Sequence, residues 1–139
     1  MMMAAGSANS LVSLGVISAA AVSLAGLTAC GSSGPARPAR ISHVVFLKLE
    51  DPSRRAELLA DCDAMLPGIP GVESYAAGRH LDVGRDSVDG DYDVGLYIGF
   101  ETETDYAGYV EHPDHVAFVE QWKPALAWLR VHDIVDETE

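Results

Sequence analysis

The sequence predicts an α+β fold of the ferredoxin-like kind, with the element order β-α-β-β-α-α-β and a four-stranded antiparallel sheet. Three observations carry this. Apolar residues alternate with period two over residues 41–49 and 92–100, as in strands with one buried face. Apolar residues recur at helical spacing over 58–66. Pro113 interrupts a stretch that otherwise reads as helix, which makes two short helices of it.

In chain order, Ile41 to Leu49 places Ile41, His43, Val45, Leu47 and Leu49 on one face of the first strand. Asp51-Pro52-Ser53 opens a helix over 52–66, with proline in its first turn. Its inward face carries Leu58, Leu59, Cys62, Met65 and Leu66, and Pro67-Gly68-Ile69-Pro70-Gly71 ends it. A second strand follows over Val72–His80. The third, Tyr92–Glu101, puts Tyr92, Val94, Leu96, Ile98 and Phe100 on one face; Gly95 and Gly99 on the other admit a neighbouring ring or backbone. Thr102-Glu-Thr-Asp105 reads as a capping box for a helix to Glu111. Pro113 then starts a helix to Trp122, and the last strand spans Trp128–Asp136. Trp122 and Trp128 are expected in the core or at a subunit seam.

Helices on one face of a four-stranded sheet leave the other face open, and a second copy related by two-fold symmetry is the usual cover. A homodimer is therefore expected. The loop from Asp82 to Asp93 carries Asp86, Asp89, Asp91 and Asp93, oxygen donors of the kind calcium takes. Their spacing is not that of an EF-hand, and Asp89-Gly90 is a turn signal, so the stretch reads as a solvated hairpin loop.

The chain has 139 residues, enough for one domain, and a formal net charge of −12 from 9 basic and 21 acidic residues. Such an acidic body lacks the Lys/Arg cluster that would replace counterions on a phosphate backbone, which excludes a nucleic-acid partner. The first 36 residues hold no charged side chain. Leu11–Ala29 is apolar but diluted by Ser, Gly and Thr, which suits a signal peptide better than a permanent span.

That run ends in Leu27-Thr28-Ala29-Cys30-Gly31, which resembles the bacterial lipobox. The resemblance implies a signal peptide over 1–29, cleavage before Cys30, and lipid on its thiol and new amino terminus. It places the protein in the bacterial cell envelope, facing outside the cytoplasm, with the membrane as a partner through its acyl chains. An uncleaved anchor and a soluble secreted form are the other readings of the segment. Residues 30–40 then form a tether, Gly/Ser-rich first and Pro-stiffened later, and the body spans 41–136. With Cys30 lipidated, Cys62 is left as a small core residue; Asp61 and Asp63 beside it are the wrong charge for a reactive thiolate. With an uncleaved leader, a Cys30–Cys62 disulfide becomes conceivable.

The residues richest in chemistry are Tyr109-Val-Glu-His112-Pro-Asp-His115. Pro113 makes His112 a cap and puts His115 in the first turn of the next helix, heading a stripe with Phe118, Val119 and Trp122. The positive helix end favours a neutral imidazole there, while Asp114 opposes it. Each residue also has a plain reading: His43 as a hydrogen-bonded core histidine, His112 as a cap, Tyr109 as a core aromatic. His80 and His132 read as structural or exposed. His112, Asp114 and His115 are too close along the chain to converge readily on a metal, and no metal is expected.

This run, with Ser42-His43-Val-Val-Phe-Leu-Lys-Leu49 and Val131-His-Asp-Ile-Val135, resembles the stress-response A/B barrel (Dabb) family over residues 41–136. The resemblance implies a ferredoxin-like unit that forms a dimeric α/β barrel. Most members have no assigned reaction. The best understood is a plant cyclase that folds a linear polyketide thioester into an aromatic acid without a cofactor. Its base matches His115, its assisting tyrosine Tyr109, and a pocket histidine His43. Asp93 stands where a further pocket histidine would align.

The reading that results is a lipid-anchored homodimer that binds a small apolar or aromatic molecule, needs no cofactor, and has His43, His112 and Asp93 as candidate ligand-binding residues. The alternatives are a cofactor-independent cyclase or lyase using His115 and Tyr109, and a structural module with a filled interior. Pocket volume separates the last from the others.

Overall fold

The computed structural model of the chain describes residues 37–138. Cys30 and the predicted leader and linker before Arg37 lie outside the described residues.

Strand β1 spans Ile41–Leu49 and alternates strictly between buried and half-buried positions, as its period-two pattern requires. A 3-10 turn over Pro52–Arg54, capped by the Asp51 carboxylate accepting from the Ser53 backbone N–H at 3.0 Å, leads into α1, Arg55–Met65. Strands β2, Ser74–Gly78, and β3, Val94–Phe100, are shorter than the sequence suggests. Thr102 caps α2, Glu103–Glu111, by accepting from the Asp105 N–H at 3.1 Å. Helix α3 spans Pro113–Trp122, and after a 3-10 turn over Lys123–Ala125 strand β4 covers Leu126–Val135.

The four strands lie in the order β2-β3-β1-β4, every pair antiparallel. This is the predicted ferredoxin-like topology, with the helices on one face. Leu58, Cys62 and Leu66 of the first helical segment meet Val45, Leu96, Ile98 and Phe100 of the sheet in a single core. Cys62 is fully buried there, and burial together with Asp63 and Asp61 pushes its thiol up to about 12, so it stays protonated and inert. Asp61 ties α1 to α3: its Oδ2 accepts from Gln121 Nε2 at 2.6 Å and from Trp122 Nε1 at 3.0 Å.

Tyr92 departs from the predicted alternation. The chain turns at Gly90–Tyr92 before β3 begins, so the period of two does not reach back to it. Its ring instead packs 4.8 Å from that of Phe46, on the sheet face turned away from the helices. The two rings also cover Gly95, where a Cβ would meet them at ordinary van der Waals distance, 3.4 Å from Tyr92 and 3.6 Å from Phe46. The loop before β3 is mostly exposed; Asp91 pairs with Lys48 at 3.0 Å and Asp89 with Arg130 at 3.5 Å. Among the described residues no group of three or more His, Cys, Asp or Glu converges on a metal position, and no helix is long and apolar enough to cross a membrane.

Candidate functional site

A cavity of about 280 Å³ lies between the helix-side face of β1 and β4 and helices α2 and α3. Its walls are mostly aliphatic and aromatic, including Val45, Leu47, Leu96, Phe118, Trp122 and Leu129. The polar groups gather at one end. Strand β1 delivers His43, α2 delivers Tyr106 and Tyr109 one turn apart, and the first turn of α3 delivers His115.

Pro113 and the cap at His112 position His115. The Asp114 N–H donates to His112 Nδ1 at 3.2 Å, which closes the start of α3. One residue on, the His115 Nδ1–H donates to the Val110 carbonyl at 2.9 Å, because a carbonyl can only accept. Nε2 is then the nitrogen with a free lone pair. Burial lowers the pKa of His115 and neighbouring His43 adds to this, against an opposing pull from the Val110 carbonyl. The ring is therefore neutral at neutral pH, as a proton acceptor must be. The ring of Tyr109 lies 4.5 Å from that of His115, and burial raises the Tyr109 hydroxyl far above its ordinary range. Tyr109 is thus a neutral hydrogen-bond donor.

His43 sits in a second polar arrangement that sequence reasoning missed. The β1–β4 register sets Asp133 directly across from it. The His43 Nδ1–H donates to Asp133 Oδ1 at 2.7 Å. The Tyr106 hydroxyl donates to Asp133 Oδ2 at 3.0 Å, and its oxygen lies 3.1 Å from His43 Nδ1. Burial, reinforced by the hydrogen bond to Asp133 and its charge, pushes Tyr106 up to about 12. The carboxylate orients the imidazole and fixes its tautomer, which leaves His43 Nε2 as the nitrogen able to meet a ligand. Two signals pointed here: Tyr106 precedes Tyr109 by one helical turn, and Asp133 interrupts an apolar strand opposite a histidine.

Of the residues singled out from sequence, the structure brings together His43, Tyr109 and His115. His112 is next to the site but does not line the cavity; its imidazole serves the helix cap. Asp93 lies outside it as well. Its Oδ2 accepts from the Leu49 N–H at 2.9 Å and its own N–H donates to the Leu47 carbonyl, so it prolongs the β1–β3 pairing where the β1–β4 register shifts at Lys48/Leu49. A carboxylate on the backbone in this way completes the sheet and does not face a ligand. His80 packs edge-on against Tyr92, and His132 is exposed on the open face. A separate polar groove beside Arg37, Glu101 and Asp136 holds none of these groups.

Comparison with known proteins agrees with this geometry. The chain is 29% identical to a Dabb family protein with a ferredoxin-like fold from Mesorhizobium loti, over 70% of this chain and 97% of that one, with a TM-score of 0.60. A dimeric ferredoxin-like protein of unknown function from Thermobifida fusca is 24% identical, over 68% and 89%, with a TM-score of 0.57. A hydroxynitrile lyase from Passiflora edulis shares the fold at 17% identity, over 74% and 99%, with a TM-score of 0.62. No curated protein matches the chain significantly. The model of the stress responsive A/B barrel domain matches residues 41–136, and the chain belongs to that family.

Proposed function

We propose that this domain binds a small, largely apolar molecule in the cavity between its sheet and α2/α3, as a homodimer held at a membrane by lipid on Cys30. The observation that carries the reading is the cavity itself: about 280 Å³, apolar along its length, with His43, Tyr106, Tyr109 and His115 gathered at one end. Its size is close to the lower end of small-molecule sites, and apolar walls with a few convergent polar groups are what such sites share. A filled interior would leave no such space.

The dimer is supported by the open sheet face, which presents Val44, Phe46, Tyr97 and Ile134 away from the helices, and by the dimeric state of the Thermobifida relative. Envelope location and the lipid rest on the Leu27–Cys30 motif. Native mass spectrometry of the purified protein tests the binding reading. The expected result is a dimer carrying a small molecule in stoichiometric amount; a dimer that neither carries nor takes up any apolar ligand overturns it.

One observation favours a second reading, a cofactor-free lyase or cyclase: the half-buried His115, its Nδ1–H bound to the Val110 carbonyl and its pKa lowered by burial, turns a free Nε2 beside a phenol in a mostly apolar cavity. In that role His115 removes a proton alpha to a carbonyl and Tyr109 donates a hydrogen bond to its oxygen. A His115→Ala variant that still binds but no longer turns over a β-polyketone supports it. Full turnover in that variant removes it.

A further inference from the structure

The cavity is electrically asymmetric along its length. At one end stands Asp133, behind His43 and Tyr106. At the other end stands Lys123, the residue that follows α3 and the only permanently charged side chain lining the cavity among the described residues. Two rulers give the separation. His115 to Lys123 is eight residues along α3 and its cap, about 12 Å. His43 to Leu47 is four residues along β1, about 13 Å.

Arg37, Lys48, Arg54 and Arg130 each pair with a carboxylate. Among the described residues Lys123, like Arg40, Arg55, Arg79 and Arg85, is a cation without an ion pair, and unlike those four it lines the cavity. On a protein of net charge −12, an unpaired cation at the edge of an apolar cavity is a local exception. Its stem can lie along the apolar wall by Trp122 and Leu126 while its ammonium reaches the opening. The histidine end is the opposite: Tyr109 and His115 offer uncharged hydrogen-bonding groups, and Asp133 repels an anion.

Resting on the binding reading above, we propose that the ligand is an amphipathic monocarboxylate, with its carboxylate at Lys123 and an uncharged hydroxyl that donates to His43 Nε2 and accepts from the Tyr109 hydroxyl. At a liquid-like volume per atom the cavity holds a molecule of roughly ten heavy atoms. A hydroxyaryl or short hydroxyalkyl carboxylic acid has that size and that polarity.

Calorimetric titration with 3-(4-hydroxyphenyl)propanoate and with its neutral primary amide tests this. The two probes share shape and phenol and differ only in charge. The acid is expected to bind about five-fold more tightly than the amide, the upper range for a solvent-facing ion pair. High ionic strength is expected to erase that preference. In Lys123→Gln the two probes are expected to bind equally. Equal binding of both by the unaltered protein overturns the carboxylate assignment and leaves the cavity reading standing. Binding of neither probe, in a protein that takes up no other apolar ligand, overturns both.

Discussion

His43 Nδ1 lies 2.7 Å from Asp133 Oδ1, between residues that face each other across the β1–β4 pairing. The histidine is almost wholly buried while the carboxylate is nearly half exposed, so the pair joins the inside of the cavity to the surface. Asp133→Ala leaves a buried imidazole N–H without its acceptor. A loss of about 1–3 kcal/mol in denaturant unfolding is expected. Nitrogen-15 NMR should show His43 moving from the Nδ1–H tautomer to a mixture; an unchanged tautomer would show that the backbone, not Asp133, orients the ring.

His115 makes stability depend on pH. Its folded pKa lies below the ordinary 6.5 of the unfolded chain, so the unfolded state binds the proton more tightly. Its contribution is complete above about pH 6.5 and is lost as pH falls from there toward the folded pKa. The unfolding free energy of the intact protein should decline over that window. In His115→Gln, which cannot titrate, that part of the decline should vanish; an unaltered slope would contradict the burial that sets this pKa.

Trp122 closes the cavity floor, donates to Asp61 and carries the Arg54 guanidinium 4.6 Å over its ring. Trp122→Ala should cost about 3–5 kcal/mol through lost contacts and an enlarged cavity. Trp122→Phe keeps most of the packing and loses the hydrogen bond, so about 1–3 kcal/mol is expected. The Phe variant should also accept bulkier apolar ligands, measurable by displacement of a fluorescent probe.

Phe46 lies on the open sheet face against Tyr92. A charge placed there disfavours covering that face with a second copy but leaves the helix-side core untouched. Phe46→Glu should shift light-scattering mass from dimer to monomer while far-ultraviolet circular dichroism is retained. A dimer that persists would place the subunit contact elsewhere.

The fold was largely legible because its elements obey local rules. The alternation from Ile41 to Leu49, the cap at Thr102 and the break at Pro113 all appear in the structure where their chemistry puts them. The site was legible only in part. His115 and Tyr109 share one short stretch of chain, so their proximity follows from helix geometry. Asp133 and Tyr106 meet His43 only through strand register and helix docking, relations that span 90 and 63 residues. Asp93 misled for the same reason: a carboxylate that completes backbone pairing cannot be told by residue type from one aimed at a ligand.

Arg37 and Asp136 touch at 2.6 Å, and the Asp136 N–H donates to the Arg40 carbonyl at 2.8 Å, so the domain starts and finishes at one point on its surface. That makes the unit graftable: spliced into a surface loop of a host protein, it would ask the host to bridge only a few ångströms. Joining the two ends directly and reopening the chain in the exposed segment near Gly84 should give a circular permutant with the same cavity, and a way to build sensors around it.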